Sequence, residues 1–494
     1  MAKSITLILL VLLFETTLAQ DAEFHGRLKA SADGHHLVCE DGTPFFWLGD
    51  TGWELIHRLN RQEVEMYLKT RREQGFNVIQ TVAISEMSGL TAKNAYGAFP
   101  LVGKDPEKLA TSPGNDPSVP GEYDYWDHVD FVINTAAKIG MYIALLPCWG
   151  EYVIPRENNQ IFETATQCYN FGNVLGIRYR EQKNIIWVLG GDRLPSERPG
   201  SVDLWRAMAK GIADGTNGGH SIEGKTDYST TFMTYHCFAS SSQWFQNDAW
   251  LDMNMWGSMH ADYSLPRAYQ QSESDWNLPN PKPTLNGEPA YEEHPVNWLE
   301  DNGEFQAYDV RQIAYWSVFA GACGHTYGCN TVWQFYDSTH KPINHAHRYW
   351  WQSLTDSGAM QMKYLRALVE SRPLLESAPD QTVLIKGEGS CSDHVVVSRG
   401  KSYLLAYIPT GNPITVRLGR ISGDTCRAWW FNPRNGEAVQ IGTIKNVGEH
   451  EFVPPGISKE LPWLRIGRGC DWVLVLDDAS RGFLSPGGLA GLQK

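Results

Sequence analysis

Basic residues are scarce in this 494-residue chain: 42 Lys and Arg stand against 56 Asp and Glu, for a net charge of −14. A nucleic-acid partner would need a basic surface, so that class is excluded. The deficit does not exclude an acidic polysaccharide, because one local cluster of Arg or Lys can hold a uronate. Long apolar runs are missing too. Past the first twenty residues no stretch holds eighteen consecutive apolar residues, so no membrane insertion is expected. There is no H-E-x-x-H, and Cys323-Gly324-His325 with Cys329 fits no standard zinc spacing, so neither a metal nor a cofactor is expected. No G-x-G-x-x-G follows the first predicted strand, which counts against an open dinucleotide-binding sheet, the runner-up fold. The nine cysteines leave at least one unpaired, and Cys323 and Cys329 read as packing residues rather than a bridge.

What is present begins with a leader. Lys3 supplies a positive start, 5–14 is apolar but too short to span a bilayer, and Thr17-Leu18-Ala19 offers small residues for cleavage. Export to the periplasm or beyond is therefore expected, with the mature chain starting near Gln20. Aromatics are plentiful: 19 Trp and 21 Tyr. Trp needs a partner for its N–H when buried, and an excess of flat amphipathic rings suits stacking on sugars.

Apolar strands alternate with helical periodicity. Strand candidates lie near 46, 79, 144, 187, 235, 254, 285 and 329. Helical patterns run over 61–74, 125–139, 162–180, 204–212, 305–319 and 347–371. Eight βα units in about 300 residues predict an α/β fold of the (β/α)8 barrel type. The sixth unit is weakest, since no helix is evident between 258 and 280. After Pro373 short β segments separated by turns predict an antiparallel β-sandwich, with Asn435-Gly436 as a hairpin turn. The expected organisation is a signal peptide over 1–19, a catalytic barrel with a short N-terminal β segment over 20–375, a sandwich over 376–478 and a tail over 479–494.

A barrel carries its site at the C-terminal ends of its strands. The fourth apolar run ends in Gly190-Gly191-Asp192, the seventh in Asn286-Gly287-Glu288. These two acids lie 96 residues apart, three repeats of 32, so they belong to strands that face each other across the barrel mouth. Glycoside hydrolysis needs one protonated and one ionised carboxyl group flanking the scissile bond. A lone acid after a strand is more often a helix cap; two acids in register are not. Asp50, Trp53, Glu86, Trp149, Tyr152, His236, Trp256, His325, Tyr327 and Trp333 are the candidate substrate contacts, a ring of aromatic and polar groups at strand ends. A non-catalytic glycan- or matrix-binding protein would keep such a ring without needing two facing carboxyls. A metal-dependent barrel hydrolase would be sensitive to chelators.

The segments 47–53 (Trp-Leu-Gly-Asp-Thr-Gly-Trp), 190–192, 286–292 (with Glu288, Tyr291 and Glu292) and 324–328 (Gly-His-Thr-Tyr-Gly) resemble the apiosidase-like glycoside hydrolases. The segments 430–436 and 471–476 resemble the small β-domain, given a collagen-binding label, that follows that barrel. The resemblance covers about residues 26–478; Asn432-Pro433 stands where Asp-Pro is the family's pattern. It implies cleavage of a branched plant polysaccharide, with pectin side chains as the characterised substrate, Asp192 as acid/base and Glu288 as nucleophile. Facing carboxyls suggest a retaining reaction. Asp192 is one methylene shorter than the more usual Glu, so retention requires Gly190 and Gly191 to carry it inward.

Overall fold

The structure is a computed structural model that describes residues 24–156, 159–219, 225–456 and 469–488. The expected signal peptide and residues 489–494 of the expected tail lie outside these. Eight parallel strands form the barrel wall: β1 (Trp47–Thr51), β2 (Val78–Val82), β3 (Tyr142–Leu146), β4 (Ile185–Gly190), β5 (Met233–His236), β6 (Asn254–Gly257), β7 (Thr284–Glu288) and β8 (Gly324–Tyr327). Six of them pair in the order β8-β1-β2-β3-β4-β5, and β6 pairs with β7. Single hydrogen bonds join the two arcs: Asp252 N–H to Met233 O (2.9 Å) and Cys323 N–H to Thr284 O (2.9 Å). Every residue of these strands is buried, which is why they read as unbroken apolar runs rather than alternating ones.

Among the described residues, seven helices of ten or more residues clothe the wall: α1 (Arg61–Glu73), α2 (Tyr125–Lys138), α3 (Ala165–Arg178), α4 (Ser201–Thr216), α5 (Arg267–Trp276), α6 (Ala307–Phe319) and α7 (Ser357–Glu370). The first three open on capping boxes, Asn60 with Glu63, Asp124 with Asp127 and Thr164 with Gln167. α5 is the helix that periodicity missed. Its buried face is Ala268, Ser272 and Asp275, small or polar groups that leave no apolar stripe. Asp275 is held there by hydroxyls of Ser240 and Thr284, both at 2.8 Å. The single helix expected over 347–371 is broken between Ser353 and Ser357, because the Leu354 carbonyl accepts from Arg71 and Gln74 of α1 instead (2.9 and 2.6 Å). The strand expected near 329 is β8, which ends at Tyr327 and is followed by a helical turn at Asn330–Trp333. No helix of the described residues is long and apolar enough to cross a membrane.

Beyond Pro373 the chain forms a six-stranded antiparallel sheet facing a three-stranded one. The central strand Trp472–Asp478 shows how the two domains meet. Val473 and Val475 join the barrel's apolar core, Leu474 and Leu476 fill the sandwich, and Asp477 on the barrel side accepts from Arg372 (2.7 Å). Alternate residues of one strand thus serve two cores. α6 is the barrel's half of the contact, with residues 308–319 all buried. Tyr315 stacks on Tyr407 at 4.8 Å, Trp316 Nε1 donates to His394 O (2.8 Å), and Arg311 grips Asp471 through two bonds of 2.7 Å. All nine cysteines are unbridged, and Cys323 and Cys329 are buried packing residues.

Substituting Arg311→Leu would leave Asp471 buried with only Arg434 (3.5 Å) and the Tyr407 hydroxyl (3.2 Å). Breaking a buried pair from one side should lower unfolding free energy by about 3–5 kcal/mol, measurable by urea denaturation. Ending the chain at Pro373 would bare the whole α6 face and should give an insoluble barrel; a soluble one would show the sandwich to be dispensable.

Candidate active site

The C-terminal ends of the strands open into a cleft of about 640 Å³, within the usual range for ligand sites. Trp53 follows β1, Glu86 follows β2, Trp149 follows β3, Asp192 follows β4, Glu288 ends β7 and Trp333 follows β8, and all six line it.

Asp192 is placed by an unusual backbone. Gly190, Gly191 and Asp192 all have positive φ (90°, 118° and 53°). A Cβ on Gly190 would lie 2.4 Å from His236 O, and one on Gly191 would lie 2.8 Å from the Trp149 ring. Only glycine can make this left-handed passage between β3 and β5. The turn is pinned by Gly191 N–H to His236 O (3.0 Å) and by the Tyr235 hydroxyl donating to Arg193 O (3.1 Å). Arg193 is anchored in turn by an ion pair with Glu151. The result turns the short Asp192 side chain into the barrel mouth, where one carboxyl oxygen, Oδ1, is buried without a hydrogen-bond partner.

Glu288 is met by two imidazoles. His236 Nε2 stands 3.0 Å from Oε2, and His260 Nε2 stands 3.4 Å from Oε1. The Tyr291 backbone N–H donates to His260 Nδ1 (3.3 Å), which makes Nδ1 an acceptor and leaves the proton on Nε2, toward Glu288. His294 stacks beneath His260 at 4.0 Å and fixes its plane. Trp53 packs edge-on against both His236 (5.3 Å) and Trp149 (5.5 Å).

Asp192, His236 and Glu288 each present an atom within 4.8 Å of the others. Two carboxyl groups so close are driven apart in charge. Burial, then the neighbouring Glu288 charge, raises the pKa of Asp192. Burial also works to raise that of Glu288, but the contacts from His236 and His260 outweigh it and hold Glu288 well below the usual range. Burial disfavours charge on His236, and Glu288 and Asp192 outweigh it, so His236 is pushed toward its protonated form. In this charge state the trio can hold and move protons. In a second cluster, Glu293, Cys329 and Asp356, the Arg348 guanidinium already supplies the positive charge, pairing with both acids. Glu86, a third acid in the cleft, is pushed well above the usual carboxylate range, first by burial and then by the surrounding acids Asp192, Glu54, Glu151 and Glu288. Its loop is fastened to buried Glu54, which accepts from the Ser85 hydroxyl (3.1 Å) and Met87 N–H (3.2 Å).

Five candidate contacts do not reach the cleft. Asp50 accepts from Arg71 Nε and the Tyr67 hydroxyl, both at 2.6 Å, so its side chain faces α1. Tyr327 donates to Glu292 (2.5 Å) and Tyr152 to Ser85 O (2.7 Å). Trp256 Nε1 donates to Thr284 inside the wall (3.0 Å). His325 is wholly buried, its pKa pushed down to about 3 by burial. Asp50, Trp256, His325 and Tyr327 are residues within strands that were read as standing at the mouth, whereas Tyr152 lies on the turn after β3 with its hydroxyl drawn to Ser85. His236 is also fully buried but touches Glu288 from below. Sequence reasoning missed His260, Tyr263, Arg156, Arg267 and Trp298, all of which line the cleft. His260 had a signal: it is the first ionisable group after β6. Arg156, Tyr263 and Trp298 sit on connecting segments whose approach no periodicity encodes, and Arg267 opens α5, the helix that periodicity missed.

Residues 31–376 match the family described as "Apiosidase-like, catalytic domain", and residues 378–477 match the one described as "Putative collagen-binding domain of a collagenase". A solved glycoside hydrolase is 34% identical over 93% of this chain and 98% of its own, with a TM-score of 0.81. A family 5 glycoside hydrolase from Bacteroides vulgatus is 32% identical over 94% of this chain and 95% of its own, with a TM-score of 0.80. None of the curated proteins compared with the chain matches it. The chain belongs to the apiosidase-like glycoside hydrolases.

Gly191→Ala would force a methyl group against Trp149 at a φ that alanine avoids. It should cost about 1–3 kcal/mol of stability and, by displacing Asp192, lower the hydrolysis rate by about 10² or more. Denaturation and initial-rate measurements check both; a variant as active as the parent would show that the turn does not set the acid's position.

Proposed function

We propose that this glycoside hydrolase is an exported, retaining enzyme that removes side chains from a pectin-type plant cell-wall polysaccharide, with Asp192 as acid/base and Glu288 as nucleophile. The observation that carries the reading is the opposed charge state of two carboxyl groups whose nearest oxygens lie within 4.8 Å. Retaining pairs stand about 5–5.5 Å apart, whereas inverting pairs need about 6.5–9.5 Å to admit a water. The family supports the pectin side chain as substrate, and the leader-like segment at 1–19 supports export.

In this mechanism the ionised Glu288 attacks the anomeric carbon as the protonated Asp192 gives its proton to the glycosidic oxygen. The bond to the leaving sugar breaks and a glycosyl–Glu288 ester forms. Asp192, now ionised, takes a proton from water, whose oxygen attacks the same carbon and releases Glu288. His260 Nε2–H and His236 steady the Glu288 charge before attack and after release. Trp149 Nε1, buried and without a partner, offers a hydrogen bond to the sugar.

Asp192→Ala and Glu288→Ala should each lower kcat on pectin side-chain oligosaccharides by about 10²–10⁴ or more. Near-parental activity in either would remove the assignment. Proton NMR of the first-formed anomer should show retention; an inverted first product would make Glu288 a general base.

The pH profile has a defined sign. Catalysis needs Asp192 protonated, so kcat/KM should fall as pH rises through about 7. It needs Glu288 ionised, and the depressed pKa of that group puts the acid limb below the usual glutamate range. An alkaline limb below pH 5 would contradict the charge states.

A further inference from the structure

The segment joining β8 to α7 carries aromatic side chains with different surroundings. Trp333, with Ile343 and Asn344, lines the cleft. Trp350 points inward: it is 1% exposed and packs edge-on against Phe335 at 5.3 Å, which in turn meets Tyr67 of α1 at 5.1 Å. Trp351, the next residue, is 44% exposed. Its ring centre lies 4.8 Å from that of Tyr349, and Tyr349 lies 5.9 Å from Tyr336, with interplanar angles of 38° and 48°. Tyr336 and Tyr349 are half-buried. The three rings form one tilted row outside the cleft.

Core packing does not account for this row, because Trp350 already fills the inward position. Among the described residues, Trp298 and Trp351 are the only tryptophans more than a third exposed, and Trp298 lines the cleft. A lone exposed ring is ordinary, but three rings in contact make a patch that calls for a partner. The row is held in place by Trp350 N–H donating to Tyr336 O (2.9 Å) and Tyr349 N–H donating to Gln352 Oε1 (2.9 Å). It is also continuous with the cleft. Tyr336 follows Trp333 by three residues, so their Cα atoms lie at most about 11 Å apart. Tyr349 follows the lining residue Asn344 by five. A polymer leaving the cleft along this segment therefore meets the row. Its rings are uncharged, and they match the C–H faces of sugar rings, whose hydroxyls stay in water.

We propose that Tyr336, Tyr349 and Trp351 form a stacking platform that holds the polysaccharide main chain beyond the cleft while the cleft takes the bond to be cut. This rests on the reading of the cleft as a polysaccharide hydrolase site and adds a second point of attachment.

The test first uses the full chain carrying Glu288→Gln, so that bound glycan is not consumed. Native electrophoresis is run in gels containing soluble pectin, arabinogalactan or glucomannan. Pectin should retard the protein, and adding Trp351→Ala or Tyr349→Ala should weaken that retardation about 3- to 10-fold in apparent affinity. Trp351→Tyr should keep most of it. Thermal melting confirms that each variant is folded. In the active protein, Trp351→Ala should raise KM on intact polysaccharide by a similar factor and leave kcat and KM on short side-chain oligosaccharides unchanged. Retardation equal in parent and ring variants, no retardation by any of the three polysaccharides, or an equal rise of KM on polymer and oligosaccharide overturns the platform. Trp351-dependent dimerisation in sedimentation, without retardation, assigns the rings to a second copy and overturns it too. Pectin hydrolysis with unchanged retardation in the ring variants sinks the platform alone; ring-dependent retardation without pectin hydrolysis upholds the platform and sinks the pectin side-chain reading.

Discussion

Two carboxyl groups with oxygens within 4.8 Å of each other at the barrel mouth cannot both be ionised at moderate cost. One must keep its proton, and the surroundings decide which. Glu288 has ring nitrogens of His236 and His260 at 3.0 and 3.4 Å, while Asp192 forms no ion pair among the described residues. The imidazoles therefore stabilise charge on Glu288, and that charge in turn holds the proton on Asp192. The pair is one electrostatic unit, and much of the barrel mouth serves to keep it in this arrangement.

The supports reach outward in layers. His260 is fixed by the Tyr291 backbone on one edge and by the His294 ring beneath it. His236 ends β5 and packs against Trp53 and Trp149. Asp192 rides on a turn that passes so close to β3 and β5 that two side chains are forbidden in it. Behind β7 and β8 stands α6, buried on every side because the sandwich covers the face that would otherwise meet solvent. The second domain thus completes the core on which the site's strands rest, and Arg311–Asp471 and Arg372–Asp477 lock it there.

The strands were legible because each is buried on both faces and so appears as a short apolar run. The two acids were legible because they terminate such runs three repeats apart. α5 was not, since its buried face is Ala, Ser and Asp, nor was the break before α7, since a carbonyl there is claimed by side chains of a helix nearly 300 residues earlier. Asp50, Tyr152, Trp256, His325 and Tyr327 were read as cleft residues from their nearness to strand ends. A difference of one or two positions along a strand decides whether a side chain meets the mouth, the wall or the surrounding helices, and apolar patterning cannot resolve it.

By itself, then, the sequence determined the alternation of strand and helix, the change to β structure after the barrel, the family, and the identity of the paired acids. Those properties are local: they follow from burial period, turn residues and motif. The tertiary structure decided the charge states of the pair and the role of His260. Those depend on groups from distant parts of the chain meeting at distances of a few ångströms, where desolvation and Coulomb energy change steeply and no local pattern records the outcome.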